Sequence, residues 1–293
     1  MSGSRERTLA LWAIAALLAA FTFLTSLLPH LVAPGPNGII TTILLVAFAL
    51  VHGAAYYGGK GIAVFVAVCL VVSNIAENLS IVTGLPFGHY HYTDVLGPKI
   101  FLVPITIGGA YFGAGYLSWT LALVLLGRIG QPIDAFARWA LPVVASFLMA
   151  SWDFMFDPAT STANKGWIWE NGGGYFGVPF ENYAGWLLTV FIFYAIFAGY
   201  LAARPASAAA SQGVRSAAAF WAPAIVMYAL LGVRYVVTYF VPAENARFVD
   251  ATGHVWMSHD IYQTAALAAI FTILAFSALA ALRLTDAARV RGI

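Results

Sequence analysis

Long apolar stretches, separated by short polar segments, recur along the whole chain. A membrane-spanning helix needs about 20 predominantly apolar residues, and eight stretches meet that length. The predicted spans cover residues 9–28, 38–57, 61–82, 100–126, 136–156, 182–201, 217–241 and 260–282. These runs are continuous, whereas outer-membrane barrels show alternating segments of about ten residues. The pattern predicts an all-α fold, a polytopic transmembrane helix bundle forming a single integral membrane domain over residues 1–293.

Composition excludes a water-soluble globular protein. Of the 293 residues, 61% are hydrophobic and 9% are charged, whereas an average soluble domain is about 25% charged. Cys69 is the single cysteine, so the chain forms no internal disulfide and no multi-cysteine metal site. The net charge is +2 and the basic residues are scattered. We therefore expect the lipid bilayer as a partner and no nucleic acid.

The basic residues predict an orientation in the cell (inner) membrane, because cytoplasmic loops are enriched in Lys and Arg. With a cytoplasmic N-terminus, the outer side carries only Lys99, Lys165 and Arg247. The inner side then carries Arg5, Arg7, Lys60, Arg128, Arg138, Arg204, Arg215, Arg283, Arg289 and Arg291. Most acidic residues lie in outer loops or at outer ends of spans. We expect both termini to be cytoplasmic and the functional chemistry to lie at the outer end of the bundle.

Four charged residues lie inside spans or at their outer ends. Counted from the helix ends, Glu77 lies about 8 Å deep, Asp153 about 5 Å and Arg234 about 10 Å, and Asp260 begins the last span. A charge at the centre of a span costs about 2.5–3.5 kcal/mol unless it has a partner, an aqueous cavity or a neutral form. The shared depth predicts one polar pocket, in which Arg234 pairs with Asp260 or Asp153. We favour a structural role for that ion pair.

Helical spacing groups some of these residues further. Asp153 and Asp157 are four residues apart and share a helix face. Two carboxyls this close in an apolar environment do not both ionise readily, so one is expected to stay neutral and able to donate a proton. Asn74, Glu77 and Asn78 share a face of the third span. They either line the pocket or hydrogen-bond neighbouring helices.

The outer loops are rich in histidine and aromatic residues. His89 and His91 form a His-x-His pair that, with Asp94, is one arrangement for a metal site. The six histidines are otherwise scattered, and we expect no metal. Aromatic residues make up 15% of the chain. Those in the outer loops form either an interface belt or a wall that stabilises a cationic intermediate.

Four sequence blocks carry a family resemblance. They are GLPFGHYHYTDVLGPK at 84–99, WDFMFDP at 152–158, GWIW at 166–169 and YFGVPFENYAGW at 175–186. In this order and spacing they resemble the carotenoid hydratase family of membrane carotenoid-biosynthesis proteins, which includes the hydratases of bacterioruberin synthesis. The blocks cover the central third of the chain. Leu102, Phe180 and Tyr183 depart from the family pattern and leave the exact substrate open.

The resemblance implies addition of water across the terminal (1,2) double bond of an acyclic carotenoid end, giving a tertiary alcohol without a cofactor. Its expected partners are therefore a lipophilic carotenoid and water, and it leaves association with other carotenoid enzymes open. This chemistry needs an acid, a cation-stabilising wall and a base. We predict Asp153 or Asp157 as the proton donor, and the other Asp or Glu77 as the base.

The remaining site predictions fall into two groups. Substrate-binding residues are expected to be His89, Tyr90, His91, Tyr92, Trp152, Trp167, Trp169, Tyr175, Asn182 and Trp186. Supporting residues are expected to be Asn74, Asn78, Asp94, Arg234, Tyr235, His259 and Asp260.

Three alternatives stay open. A carotenoid end-group cyclase begins with the same protonation, and a neighbouring double bond instead of water then captures the cation. A proton-coupled transporter also carries buried acids and an arginine, although inverted repeats and broken midplane helices are typical of transporters and are not visible here. A non-catalytic assembly protein is the third alternative, and it would tolerate acid-to-amide substitutions.

Overall fold

Seven long apolar helices form the bundle in a computed structural model that describes residues 2–204 and 218–290. Three residues used in the sequence predictions lie outside the described residues. They are residue 217, the first of the predicted seventh span, and two of the basic residues predicted on the inner side, Arg215 and Arg291. The helices are α1 (Ser2–Leu27), α2 (Pro34–Thr83), α3 (Ile105–Leu125), α4 (Ala137–Pro158), α5 (Phe180–Ala202), α6 (Ala218–Phe240) and α7 (Ser258–Ala268), which continues through a π-helical segment (Ala269–Leu274) into α8 (Ala275–Val290). The all-α transmembrane bundle is confirmed.

The second helix is a hairpin of two spans. Its 50 residues would extend about 75 Å if straight, but Gly58 has the non-helical angles φ 74° and ψ 167°. His52, before this break, and Phe65, after it, both contact the ring of Tyr116 on α3. The two halves therefore run back along the same helix. The seven helices thus contain eight segments of membrane-spanning length, as the hydropathy pattern predicts.

Helix α3 lies at the centre of the bundle, because every residue from Tyr111 to Val124 is buried. Glycines let α2 approach it closely. A Cβ atom built on Gly113 would lie 2.6 Å from Cβ of Leu45, and one on Gly109 would lie 2.7 Å from Cγ2 of Thr42. These two glycines allow close helix packing, as small residues commonly do in membranes.

Three short antiparallel strand pairs occupy one end of the described bundle. Strand β1 (Tyr90–Tyr92) pairs with β4 (Trp167–Trp169), β2 (Lys99–Ile100) with β3 (Val103–Pro104), and β5 (Arg247–Val249) with β6 (Val255–Met257), all antiparallel. The loops 84–104, 159–179 and 241–257 that carry them define the loop end of the molecule. The predicted start of the fourth span at residue 100 is wrong, since residues 99–104 form the β2–β3 turn and α3 begins at Ile105.

The loops of this end contact one another. Lys165 Nζ donates to the carbonyl of Val249 at 2.9 Å, and Thr93 Oγ1 donates to the carbonyl of Lys165 at 2.7 Å. Helix α4 also continues beyond its predicted end at residue 156, through Pro158 into a π-helical turn (Ala159–Ala163). Asp157 therefore lies within a helix, under the cover that the loops form.

Candidate active site

Two aspartates on α4 share one amide. Asp153 and Asp157 are each 1% exposed, and their spacing places both carboxyls on the same helix face. Asn182, in the first turn of α5, donates from Nδ2 to Asp153 Oδ2 at 3.0 Å and to Asp157 Oδ2 at 2.7 Å. The indole N–H of Trp169 approaches Asp157 Oδ1 at 3.4 Å. One amide group therefore bridges two buried carboxyls; we call this arrangement the aspartate pair.

The third buried acid, Glu77, is surrounded by phenol groups. Its Oε2 atom accepts hydrogen bonds from the hydroxyls of Tyr90 and of Tyr92, the latter at 2.8 Å. Its Oε1 atom accepts from the hydroxyl of Tyr111 at 2.8 Å. Three donors occupy three of about four lone-pair directions of the carboxyl group, so the Glu77 side chain is held as an acceptor.

Burial keeps the two loop tyrosines protonated. Desolvation and the adjacent Glu77 charge raise the pKa of Tyr90 well above its usual range, and the same two causes raise the pKa of Tyr92. Both hydroxyls therefore remain donors to Glu77 throughout the physiological pH range.

The β1–β4 ladder covers the aspartate pair and Glu77. Tyr90 is paired with Trp169 and Tyr92 with Trp167, and their rings lie 4.8 Å and 5.9 Å apart between centroids. Because side chains alternate along a strand, all four aromatic groups point inward while His91 points outward. The ladder acts as an aromatic cover over the acids.

A serine of α2 fixes the segment that leads into β1. Ser80 Oγ accepts from the backbone N–H of Phe87 at 2.9 Å and donates to the carbonyl of Gly88 at 2.9 Å. Gly84 ends α2 with φ 83°, a left-handed conformation that glycine adopts without a Cβ clash. These local interactions set where Tyr90 and Tyr92 meet Glu77.

The three acids line one small cavity of about 30 Å³, which we call the acid cavity. A cavity of about 10–15 Å³ suffices for one water molecule. Two stacked ring pairs contribute to its wall: Tyr111 on Trp186, with centroids 4.4 Å apart, and Trp152 on Phe156, at 4.6 Å. The acid cavity therefore combines three carboxyls with aromatic faces and has room for water.

A second, larger cavity of about 140 Å³ adjoins the acid cavity. Residues that line both cavities are Ile107, Ala110, Trp152, Phe156 and Trp167. The larger cavity extends between α1, α2 and α6, and Arg234 and Tyr235 line it there. We call it the adjoining cavity.

Several predicted substrate-binding residues do not reach the acid cavity. His89 is exposed, and His91, on the outward side of β1, contacts Glu170 at 3.1 Å. Tyr175 stacks on Phe154 with centroids 4.5 Å apart, outside the residues that line the cavity. These three side chains lie outside the lining of the acid cavity, His91 because alternate side chains of β1 point to opposite sides. A role for them in substrate binding stays a prediction.

The predicted supporting carboxylates lie on the surface. Asp94 is fully exposed and lies 3.7 Å from Lys99 Nζ. His259 and Asp260 are more than half exposed, and the nearest contact between them is 3.9 Å. The expected pairing of Arg234 with Asp260 or Asp153 is wrong, because no ion pair between the described residues includes Arg234.

Three further predicted supporting residues, Arg234, Asn74 and Asn78, form hydrogen bonds with other protein groups and do not line the acid cavity. The Arg234 guanidinium donates to the side-chain oxygen of Asn37 at 2.6 Å. Asn78 bonds Asn74 through Nδ2, and its Oδ1 accepts from the backbone N–H of Leu102 at 3.1 Å. The sequence left two roles open for the amides of α2, lining the pocket or forming structural hydrogen bonds. These contacts correspond to structural hydrogen bonds.

Tyr111, Phe87 and Phe156 line the acid cavity and were absent from the predicted site. Tyr111 had a usable signal. It lies about six residues into α3, close to the depth of Glu77 below the end of α2. Phe87 and Phe156 carry no polar atom and are indistinguishable in sequence from lipid-facing residues.

Comparison with known proteins finds a matching family model and one curated relative. A bisanhydrobacterioruberin hydratase from Haloarcula japonica is 29% identical over 177 residues, which is 59% of this chain and 58% of the relative. The chain thus matches less than two thirds of that protein's length. No solved structure matches the chain. A family model described as carotenoid biosynthesis protein matches residues 37–251, which include the aspartate pair, Glu77 and the aromatic cover. The chain belongs to this family of membrane carotenoid-biosynthesis proteins.

Proposed function

We propose that the protein adds water across the terminal double bond of an acyclic carotenoid end and produces a tertiary alcohol. The observation that carries the proposal is the aspartate pair, two buried carboxyls bridged by one amide on the wall of a cavity lined by aromatic rings. The hydratase named among its relatives supports the same reaction class.

The aspartate pair is suited to hold one proton. Two carboxylates that accept hydrogen bonds from the same Nδ2 of Asn182 lie close together, and like charges in a buried site disfavour double ionisation. One carboxyl is then a neutral acid and the other a carboxylate. A neutral, desolvated acid is the group that an unactivated alkene requires as a proton donor.

In the first step the neutral carboxyl gives its proton to the less substituted carbon of the terminal double bond. The π electrons form the new C–H bond and leave a tertiary carbocation on the other carbon. Trp186, Trp152 and Trp167 line the cavity, and aromatic rings attract positive charge through their faces. Glu77 supplies a fixed negative charge at the same cavity, which lowers the energy of the cation further.

In the second step the oxygen of a water molecule bonds to the cationic carbon, and one water proton leaves. We assign this proton to the aspartate pair, which carries two negative charges after the first step and is therefore the stronger base. Three phenol donors already occupy Glu77. Return of the proton restores the aspartate pair to its starting state. The reaction adds only the elements of water, so it needs no redox cofactor.

Pigment masses test the proposal. The protein is expressed in bacteria that accumulate lycopene, and extracted pigments are compared with an empty-vector control by mass spectrometry. We expect a gain of one or two waters. Asp153→Asn and Asp157→Asn are each expected to lower conversion by about 10²-fold or more, whereas Asp260→Asn, on an exposed carboxylate away from the cavity, is expected to leave it unchanged.

Other outcomes contradict the proposal. An unchanged mass with an altered absorption spectrum indicates cyclisation. Full conversion by both aspartate variants, at membrane levels equal to the wild type by immunoblot, excludes the aspartate pair as the acid. No pigment change with well-inserted protein excludes hydration of lycopene ends.

A further inference from the structure

The acid cavity is closed on every side except one. Of the described residues that line it, Ile107, Ala110 and Phe156 are half-buried, and the others are buried. All three half-buried residues also line the adjoining cavity. A long molecule whose end reacts at the aspartate pair therefore leaves the acid cavity on this side.

The adjoining cavity is too small to contain the rest of such a molecule. An apolar cavity of roughly 150 Å³ accommodates a benzene ring, so a volume of about 140 Å³ takes about six carbons. A carotenoid chain is several times longer. The chain must therefore continue out of the protein.

One wall of the adjoining cavity is open. On α1 and α6 the lining residues Leu18, Thr22 and Leu231 are buried. The residues that line the cavity from the first turns of α2 and the first turns of α3 are half-buried instead: Gly38, Ile39, Thr41, Thr42, Thr106, Ile107 and Ala110. The cavity thus opens between α2 and α3.

Two close contacts frame this opening. A Cβ atom built on Gly35 would lie 2.7 Å from the carbonyl oxygen of Val95, and one on Gly109 would lie 2.7 Å from Cγ2 of Thr42. Gly35 and Thr42 are separated by about 10 Å along α2. Between them, a Cβ atom built on Gly38 would have no atom within 4 Å. We call this gap between α2 and α3 the lateral window.

The lateral window faces the hydrocarbon of the bilayer. Gly38 follows the start of α2 at Pro34 by about 6 Å along the helix axis. Ile40 and Ile43 on α2 and Ile105 on α3 are exposed beside the window. Exposed apolar side chains grouped in this way indicate contact with a membrane.

We propose that the substrate polyene passes through the lateral window, so that its reacting end lies in the acid cavity while the rest of the chain lies in the bilayer. The inference rests on the proposed function, because the reacting end occupies the acid cavity. Ile107 connects the two places, since it lines both cavities and lies on α3 at the window. Gly38 then keeps the window open because it has no side chain.

Thiol labelling tests occupancy of the window without turnover. Full-length protein carrying Cys69→Ala, Asp157→Asn and Gly38→Cys is placed in liposomes with and without lycopene, and pyrene maleimide, which partitions into lipid, is added. We expect lycopene to slow labelling by about fivefold or more. Ile43→Cys in the same background is the control. Its side chain is exposed on α2 and does not line the cavity, so lycopene should not change its labelling rate.

Filling the window tests its role in the reaction. Gly38→Phe places a ring in the gap and leaves the aspartate pair unchanged, so we expect initial rates of lycopene hydration in isolated membranes to fall by about tenfold or more. Gly59→Phe adds the same ring at the turn of α2, where nothing lies within 4 Å of a built Cβ atom. At equal membrane levels by immunoblot it should retain the wild-type rate.

The outcomes separate this inference from the proposed function. No labelling of Gly38→Cys in lycopene-free liposomes, labelling that lycopene does not slow, or a wild-type rate in Gly38→Phe overturns the inference. If the wild type nevertheless hydrates lycopene, the proposed function stands. Protection of Gly38→Cys by lycopene, with no hydration by the wild type, supports passage of the polyene through the window and contradicts the proposed function.

Discussion

At the scale of single residues, the site depends on one amide that sequence spacing alone does not identify as a bridge. The four-residue spacing of Asp153 and Asp157 is sufficient to predict that their carboxyls share a face. It does not show that Asn182 on another helix donates to both. The bridge holds together two carboxyls that repel each other when both are ionised. In the proposed mechanism it thereby lets the pair share one proton.

Replacing the bridge tests this role. Asn182→Leu preserves side-chain volume and removes both hydrogen bonds, so we expect hydration to fall by about tenfold or more while the protein remains inserted. Initial rates of pigment conversion in isolated membranes measure the effect. Glu181→Gln, on the adjacent exposed residue, is the matched control and should retain the wild-type rate. A wild-type rate in Asn182→Leu would show that the bridge has no catalytic role.

The same scale shows the limits of sequence reasoning. Glu77 was identifiable because a carboxyl within an apolar span is rare. Tyr111 has a matching depth in its span, but depth alone does not show its bond to Glu77, because tyrosine is common in spans and the bond depends on the relative rotation of two helices. His91 was assigned to the site although it points outward, because the motif carries no sign that residues 90–92 form a strand.

At the scale of elements, the position of the aromatic cover depends on close contact between the loop and α5. A Cβ atom built on Gly185 would lie 2.6 Å from the carbonyl oxygen of Pro86 and 2.7 Å from Cδ1 of Phe87. The segment from Pro86 to Phe87 leads directly into β1. Displacement of this segment would move Tyr90 away from Glu77.

A substitution at this contact is expected to reduce stability and activity together. Gly185→Ala overpacks the contact, and overpacking typically costs about 1–3 kcal/mol. We expect a lower Tm in detergent and slower hydration. Gly59→Ala adds the same methyl group where nothing lies within 4 Å, and it should change neither quantity. Equal behaviour of the two variants would contradict the role of Gly185 as a contact point.

Each predicted span corresponds to a helical segment of the structure, and the start of the fourth span is wrong for a physical reason. The break at Gly58 has no side chain to reveal it, yet the short interval between residues 57 and 61 correctly indicated two spans. The β2–β3 turn looked like part of a span because Ile100, Phe101 and Leu102 are apolar. These residues are exposed in the structure and lie at the end of the bundle, where apolar side chains also occur.

At the scale of the whole molecule, the charge distribution implies an orientation. The loop end carries the three buried acids and the aromatic cover, and most of the basic residues that the structure describes lie toward the opposite end. We propose that the loop end faces outward and that both termini are cytoplasmic, as expected for eight spans and the positive-inside rule.

Cysteine labelling tests the orientation. In a Cys69→Ala background, Asp94→Cys places a thiol at the loop end and Lys60→Cys places one at the α2 turn; both positions are exposed. A membrane-impermeant maleimide applied to spheroplasts should label Asp94→Cys and should label Lys60→Cys only after permeabilisation. The reverse pattern would invert the topology.

In the proposed reaction, a protein acid protonates the terminal alkene carbon before water adds. Isolated membranes are incubated with substrate in D₂O, and the product is returned to H₂O so that the hydroxyl deuterium exchanges. We expect one carbon-bound deuterium per added water in the wild-type product, detected by mass spectrometry, and no labelled product above background with Asp153→Asn or Asp157→Asn. A hydrated product without carbon-bound deuterium would show that the alkene carbon is not protonated in this reaction.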